Sequence, residues 1–140
     1  MRVFLDANIL FSASFSKSRV AEFLSGLRQH AVLLTNAYAK AEAARNIAAK
    51  QFKRLAACEK FASSLELVPL RLFDPGVTVS AKDQPILCGA ISGRADFLLT
   101  GDEKDFGHLF GQTVGGVKIV SMQGLLAELI TLGIINEPGQ

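Results

Sequence analysis

Short apolar runs and stretches of helical periodicity alternate along the chain. Arg2-Val3-Phe4-Leu5 reads as a buried strand followed by helical sequence. Val20, Phe23, Leu24 and Leu27 then recur at i, i+3, i+4 and i+7, one face of a helix that Ser18 can cap. Val32-Leu33-Leu34-Thr35 predicts a second strand. Asn36 can cap the next helix, in which Ala41, Ala44, Ile47 and Ala48 are expected to form a narrow small-residue face. The stretch up to about Ser64 predicts a further helix, and Leu65-Glu66-Leu67-Val68 a third strand closed by Pro69. Asp83-Gln84-Pro85 has the look of a helix start with Pro in the first turn, and Gly93 of its C′ stop. Phe97-Leu98-Leu99-Thr100 and Val117-Lys118-Ile119-Val120 predict a fourth and a fifth strand. A last helix, capped by Ser121, carries Leu125, Leu126, Leu129 and Ile130 and ends at Gly133. Residues 69–82 are the least regular.

Strands that alternate with helices predict a three-layer α/β/α fold with a parallel sheet of about five strands, covered on both faces. The 140 residues are expected to form one domain, with 133–140 as a loose tail. Forty-nine per cent of residues are hydrophobic and 20% charged, which excludes a disordered chain. No apolar run reaches the roughly 18 residues of a membrane span. Acidic Asp6, so close to the start, does not suit a secretory signal, and the expected location is the cytoplasm. Cys58 and Cys88 have the spacing of neither a disulfide framework nor a zinc site and are expected as buried thiols.

The net charge of +2 is too small to argue for a polyanion partner, but its distribution is uneven. Residues 40–60 carry six basic side chains against Glu42 and Glu59, whereas residues 61–140 carry five against nine acids. Taken alone, such a basic run is better explained as a solvated helix face.

In an open parallel sheet, ligands bind beyond the carboxyl ends of the strands. The first strand ends in Asp6-Ala7-Asn8 and the fourth in Thr100-Gly101-Asp102, with Asp105 just beyond. Glu42 lies about two turns into the helix after the second strand. Asp83 starts the helix feeding the fourth strand, and that helix begins at the same sheet end. Topology alone therefore brings four carboxylates to one edge. Like charges gathered in a cleft need compensation, and a hard divalent cation such as Mg²⁺ or Mn²⁺ prefers oxygen ligands. Such a site suits metal-assisted attack of water on a phosphodiester. Each acid also has a plainer reading. Asp83 alone is better explained as an N-cap, Asp102 with Asp105 as a capping box, and Glu42 as an i, i+3 partner of Arg45. Asp96 opens the fourth strand, at the opposite end of the sheet, and is excluded from the site.

The motifs in order resemble those of PIN-domain ribonucleases. Val3-Phe4-Leu5-Asp6-Ala7-Asn8 is similar to the family's first strand, Ala95 to Phe106 to its fourth strand and acidic loop, and Asp83 to Ala90 to the helix before it. Glu42 stands where the family's helical Glu is expected. The resemblance implies strand order 3-2-1-4-5 and a Mg²⁺- or Mn²⁺-dependent endoribonuclease. It further implies the toxin of a toxin–antitoxin pair (the VapC type), dimeric and silenced by a small antitoxin protein. Carried over, Asp6, Glu42, Asp83 and Asp102 are the catalytic, metal-binding acids and Asp105 a possible fifth. Asn8 and Thr100 orient ligands or water. Arg45, Lys50, Lys53 and Arg54 follow Glu42 and are candidates to track the RNA backbone.

Two other readings compete. A non-catalytic PIN-like domain would only bind RNA or a partner. A Mg²⁺-dependent phosphotransfer domain or phosphatase would use Asp6 as nucleophile, Asp102 as ligand and Lys118 as phosphate partner. Its phosphoacceptor belongs after the third strand, where this chain has Val68-Pro69.

Overall fold

The computed structural model describes residues 1–136. Six strands form one sheet: β1 (Arg2–Leu5), β2 (Val32–Asn36), β3 (Glu66–Val68), β4 (Phe97–Leu99), β5 (Thr113–Val114) and β6 (Val117–Val120). Their order is β3-β2-β1-β4-β6-β5, and every pair is parallel except β5 with β6. The expected five-strand parallel order is present, with Val117–Val120 as its fifth member. The added β5 is a short hairpin arm that closes the sheet on that side. Its turn is Gly115-Gly116, with φ of +56° and +84°, the left-handed pair that a two-residue hairpin demands.

The helices are α1 (Ala7–Ala13), α2 (Arg19–Leu27), α3 (Ala37–Lys50), α4 (Leu55–Ser63), α5 (Gln84–Ser92), α6 (Glu103–Phe106) and α7 (Met122–Thr131). Helices α1 to α4 pack on one another, α5 lies against β1, β2 and β4, and α7 lies against β4 and β6. The crossover from β3 to β4 runs opposite in direction to β1→β2→β3. Right-handed connection therefore puts α5 on the other face. The central strands are buried on both faces, which is why Val3, Phe4, Leu5, Leu98, Leu99 and Ile119 form unbroken apolar runs.

Predicted caps hold at three helix starts. Ser18 accepts from the Ala21 amide, Asn36 from Ala39 and Ser121 from Gly124. Asn36 is wholly buried and also donates to the Pro85 carbonyl, so one side chain ties the starts of α3 and α5 together. Gly89 makes that seat possible: a Cβ there would lie 2.6 Å from Asn36 Nδ2 and 2.8 Å from the Phe4 ring.

Three expectations need correction. The small-residue face of α3 is Ala39, Ala43 and Ile47, spaced by four; Ala41 and Ala48 are exposed. Gly93 ends α5 in right-handed conformation, and the left-handed residue is Arg94 at φ 55°. Glycine is nevertheless needed at 93, because a Cβ would meet Val68 Cγ2 at 2.8 Å and the Gly89 carbonyl at 3.0 Å. The stretch expected to be loose from 133 onward is packed as far as Ile135. Ile134 and Ile135 lie against the core, and the Ile134 amide bonds to the Leu129 carbonyl at 3.0 Å. The remainder, Glu137 to Gln140, lies outside the described residues.

Candidate metal centre

β1 and β4 are neighbours in register, Leu5 opposite Leu99, so Asp6 and Thr100 leave the sheet side by side. Asp6 is 3% exposed. One carboxylate oxygen accepts from the Ala7 amide at 2.6 Å; the other accepts from the Thr100 hydroxyl at 2.8 Å and from Asn8 Nδ2 at 3.2 Å. Burial pushes its pKa up to about 6. The Thr100 and Ala7 hydrogen bonds oppose that rise, and the nearby charges of Asp83 and Glu42 add to it. Asn8 also accepts from the Gly101 amide at 2.8 Å, which staples the loop after β4 to the start of α1. The Thr100 hydroxyl in turn accepts from the Asp102 amide at 3.1 Å. Asn8 and Thr100 thus fix the two loops that carry Asp6 and Asp102.

Asp83 behaves differently from its cap reading. It stands at the N-cap position of α5, yet its backbone is right-handed helical and its carboxylate caps no amide. The side chain, 6% exposed, accepts from the Ser80 hydroxyl and lines the cleft. Burial raises its pKa, opposed by the Ser80 hydrogen bond. Asp102 does cap: its Oδ1 accepts from the Asp105 amide at 3.0 Å while the residue still faces the cleft. Glu42 makes no ion pair with Arg45 among the described residues and instead lines the same cavity.

That cavity, of about 260 Å³, is lined by Asp6, Ala7, Asn8, Glu42, Asn46, Lys82, Asp83, Gly101 and Asp102. The structure therefore brings the four main acids around one space. Asp105 stands at its flank: one oxygen each from Asp83, Asp102 and Asp105 lie within 4.8 Å of one another. An all-carboxylate donor set, with two members buried, fits a hard divalent cation. Asn46 and Lys82 were missed by sequence reasoning. Asn46 is one turn beyond Glu42 on α3, the i+4 position, which was readable; Lys82 had no distinguishing signal.

The basic candidates spread along and beyond α3. Arg45 is exposed just past Glu42. Lys50 closes the helix, about 12 Å further along its axis than Glu42. Lys50 Nζ sits 5.7 Å from the Phe11 ring centroid and the Arg54 guanidinium 5.5 Å from that of Phe15, while Lys53 is exposed. Asp96 accepts from the Arg2 amide at the opposite end of the sheet. Lys118 is also at that far end, opposite Phe97 and paired with Glu128, so it reaches none of the acids.

No protein-family model and no curated protein matches the sequence. Solved structures do. The fold is similar to VapBC2 from Rickettsia felis bound to a DNA fragment from its promoter, with a TM-score of 0.64 and 18% identity over 86% of this chain and 98% of the matched one. VapBC-1 from nontypeable Haemophilus influenzae gives 0.58 and 19% over 88% and 99%. DNA-bound VapBC from Salmonella typhimurium gives 0.59 and 18% over 87% and 98%. The chain has the fold of a VapC-like PIN domain. At these identities the likeness concerns the fold. In this PIN fold the acidic cavity occupies the carboxyl edge of β1 and β4, the place where open α/β sheets bind ligands.

Proposed function

We propose that this chain is a Mg²⁺- or Mn²⁺-dependent endoribonuclease and the toxin of a toxin–antitoxin pair. The observation that carries the reading is the convergence of Asp6, Glu42, Asp83 and Asp102 on one 260 Å³ cavity at the carboxyl edge of the sheet. Caps account for Asp6 and Asp102 in part, but among the described residues no cap or ion pair accounts for Asp83 or Glu42.

Asp6, Glu42, Asp83 and Asp102 would hold the ion, with Asp105 at the flank. The chemistry such an ion supplies when bound is activation of water and neutralisation of charge on the phosphodiester. The protein's own part is positional. Thr100 and Asn8 hold the Asp6 carboxylate in place through hydrogen bonds to one of its oxygens. Ser80 does the same for Asp83. The acidic centre repels RNA, so the attraction must come from beside it; Arg45 and Lys50 on α3 and Lys53 and Arg54 in the turn after it are the basic side chains that would supply it. The stacking of Lys50 and Arg54 on Phe11 and Phe15 holds two of these charges in place.

A small antitoxin and a second copy of the chain are the proposed protein partners, and the cytoplasm the proposed location. The similar structures are toxin–antitoxin complexes, and no described helix is long and apolar enough to cross a membrane. The deciding experiment is hydrolysis of a mixed RNA pool with Mn²⁺, with EDTA and with the Asp6→Asn variant. Cleavage that needs both the metal and Asp6 is expected; equal behaviour of wild type and variant sinks the nuclease reading. Co-purification with the product of an adjoining short reading frame tests the antitoxin, and light scattering tests the dimer.

A further inference from the structure

Beyond Asp102 the carboxyl edge of the sheet continues into a second cleft. Its volume is about 590 Å³, and Glu103, Phe110, Ser121, Met122 and Gln123 line it. One wall is the turn after α6 (Gly107–Leu109) with Phe110, and the other is the start of α7. The two walls belong to opposite helical layers. Leu126 and Leu129 of α7 line one cavity with Phe23 and Leu27 of α2, so α7 sides with α1 to α4. The turn after α6 meets the segment before α5 instead. His108 Nε2 lies 3.3 Å from the Thr78 carbonyl oxygen, and Lys82 pairs with Asp105 at 2.9 Å. The acidic cavity is built the same way over β1 and β4, between α3 on one side and Lys82-Asp83 on the other. The second cleft lies over β4 and β6, one strand further along, about 4.8 Å away in the sheet. The loop Gly101-Asp102-Glu103 divides them, with Asp102 on the first and Glu103 on the second. Together they make one crevice along the crest of the sheet.

The chemistry of the two halves differs. The second cleft has no basic side chain among its lining residues, so it is no seat for a phosphate. It offers an aromatic ring and a thioether. Phe110 is half-buried, and the Gly111 amide behind it donates to the Ile119 carbonyl at 2.8 Å, which anchors that backbone beside the end of β6. Of the polar groups, the Ser121 hydroxyl oxygen accepts from the Gly124 amide. Glu103 and Gln123 are exposed, and Glu103 forms no ion pair among the described residues. Such walls suit a flat heterocycle with a polar edge, because unstacked bases lie on aromatic side chains while their edges are hydrogen-bonded. A carboxylate only accepts, so it favours a base that presents two donors side by side. Guanine does so with N1–H and its 2-amino group. Uracil presents one N–H between two carbonyl oxygens, which a carboxylate repels.

We propose that this cleft is a nucleobase subsite: it seats a guanine of single-stranded RNA beside the phosphate held over the acids, packed on Phe110 and Met122 and read by Glu103 and Gln123. The subsite presupposes the nuclease reading and adds a sequence preference to it, cleavage next to guanine.

The chain has two methionines, Met122 in the cleft and Met1 at the opposite end of the sheet. Their methyl resonances in NMR therefore serve as probe and internal control. GMP and UMP are titrated separately into the whole chain in EDTA; the phosphate is common to both, so the difference between them reads the base. The Met122 methyl is expected to shift with GMP while Met1 stays. Half-saturation with UMP is expected to need at least about fivefold more nucleotide, the low end of what a two-point base contact gives. Phe110→Leu keeps the apolar bulk, loses the ring and is expected to weaken both nucleotides. Glu103→Gln, at an exposed position, is expected to abolish the preference for GMP. In the RNA pool, cuts are expected to border guanine in wild type and to lose that bias in Glu103→Gln. A Met122 methyl that neither nucleotide moves, an equal response to both in wild type, or a preference that survives Glu103→Gln overturns the subsite and leaves the nuclease reading standing. The expected shifts without any hydrolysis of RNA support the subsite and sink the nuclease reading.

Discussion

The Thr100 hydroxyl donates to Asp6 Oδ2 at 2.8 Å, across 94 residues of chain and two adjacent strands. Both side chains are buried, so this bond is among the few solvating the Asp6 carboxylate. Thr100→Val keeps the shape and removes the donor, as well as the acceptor for the Asp102 amide. A buried charged group deprived of a partner costs on the order of 2 kcal/mol. The expected result is a loss of that size at pH 8 in chemical denaturation with chelator present. Because the lost bond had held the Asp6 pKa down, the loss shrinks below pH 5, where the carboxyl is protonated. Thr100→Ser is expected to restore most of it.

Asp6 also sets a pH dependence of the whole fold. Its carboxyl is raised from the ordinary 3.8 to about 6, so the folded protein holds a proton that the unfolded chain releases. The contribution to stability is therefore complete below about pH 4 and is lost as pH rises through 6. A shift of two units corresponds to roughly 3 kcal/mol, as an order of magnitude. In EDTA, Asp6→Asn is expected to be more stable than wild type at pH 8, by an amount that vanishes near pH 4. If the two stability curves run parallel from pH 4 to 8, the carboxyl does not titrate as described. Excess Mg²⁺ is expected to stabilise wild type alone, by about 2.7 kcal/mol at a hundred times Kd, which brings the two proteins to nearly equal stability at pH 8.

Gly89→Ala tests the seat between the layers. Its Cβ would press on Asn36 Nδ2 and on the buried Phe4 ring at under 3 Å, where neither can withdraw freely. Overpacking of this kind costs about 1–3 kcal/mol. A lowered melting temperature is expected, together with weaker metal binding, because Asn36 caps the helix that carries Glu42. An unchanged melting temperature would show that α5 slides to accommodate the methyl group.

If the basic residues on α3 and the turn after it track a single-stranded backbone, each one that neutralises one phosphate contributes about 0.7 to the slope of log affinity against log salt. Arg45→Ala and Lys53→Ala, measured separately on uncleavable RNA, are each expected to flatten the slope by about that amount. A slope that does not move assigns the residue to solvated surface.

Strand ends and caps were legible in the sequence because both depend on immediate neighbours. Ser18, Asn36 and Ser121 cap their helices as expected, and Asp6 and Asp102 could be placed by the strands they follow. The α3 face was misread because alanines occupy both sides of that helix; which of them faces inward is decided by the layer beneath. Asp83 illustrates the opposite limit. Asp before Gln-Pro is a good local cap, yet its carboxylate accepts from the Ser80 hydroxyl instead of an amide and lines the cleft. Lys82 was illegible for another reason: its partner lies in a different loop, and nothing local separates it from the other basic residues. The Gly115-Gly116 hairpin, by contrast, stands in the chain as two glycines between valines, yet it was not among the expected elements.

The strand order has a consequence in time. β1 lies between β2 and β4, so the first strand made waits for the fourth before its second edge is paired. During synthesis the chain can fold β1 to β3 early, but Asp6 has no Thr100 beside it, and Asp102 is not yet on the scene. A nascent fragment that ends before β4 holds Asp6, Glu42 and Asp83 but neither Thr100 nor Asp102. A ribosome that stalls or drops off before that point releases a product without the constellation, and whatever chemistry the finished cavity performs starts only after β4 and the loop that follows it have emerged.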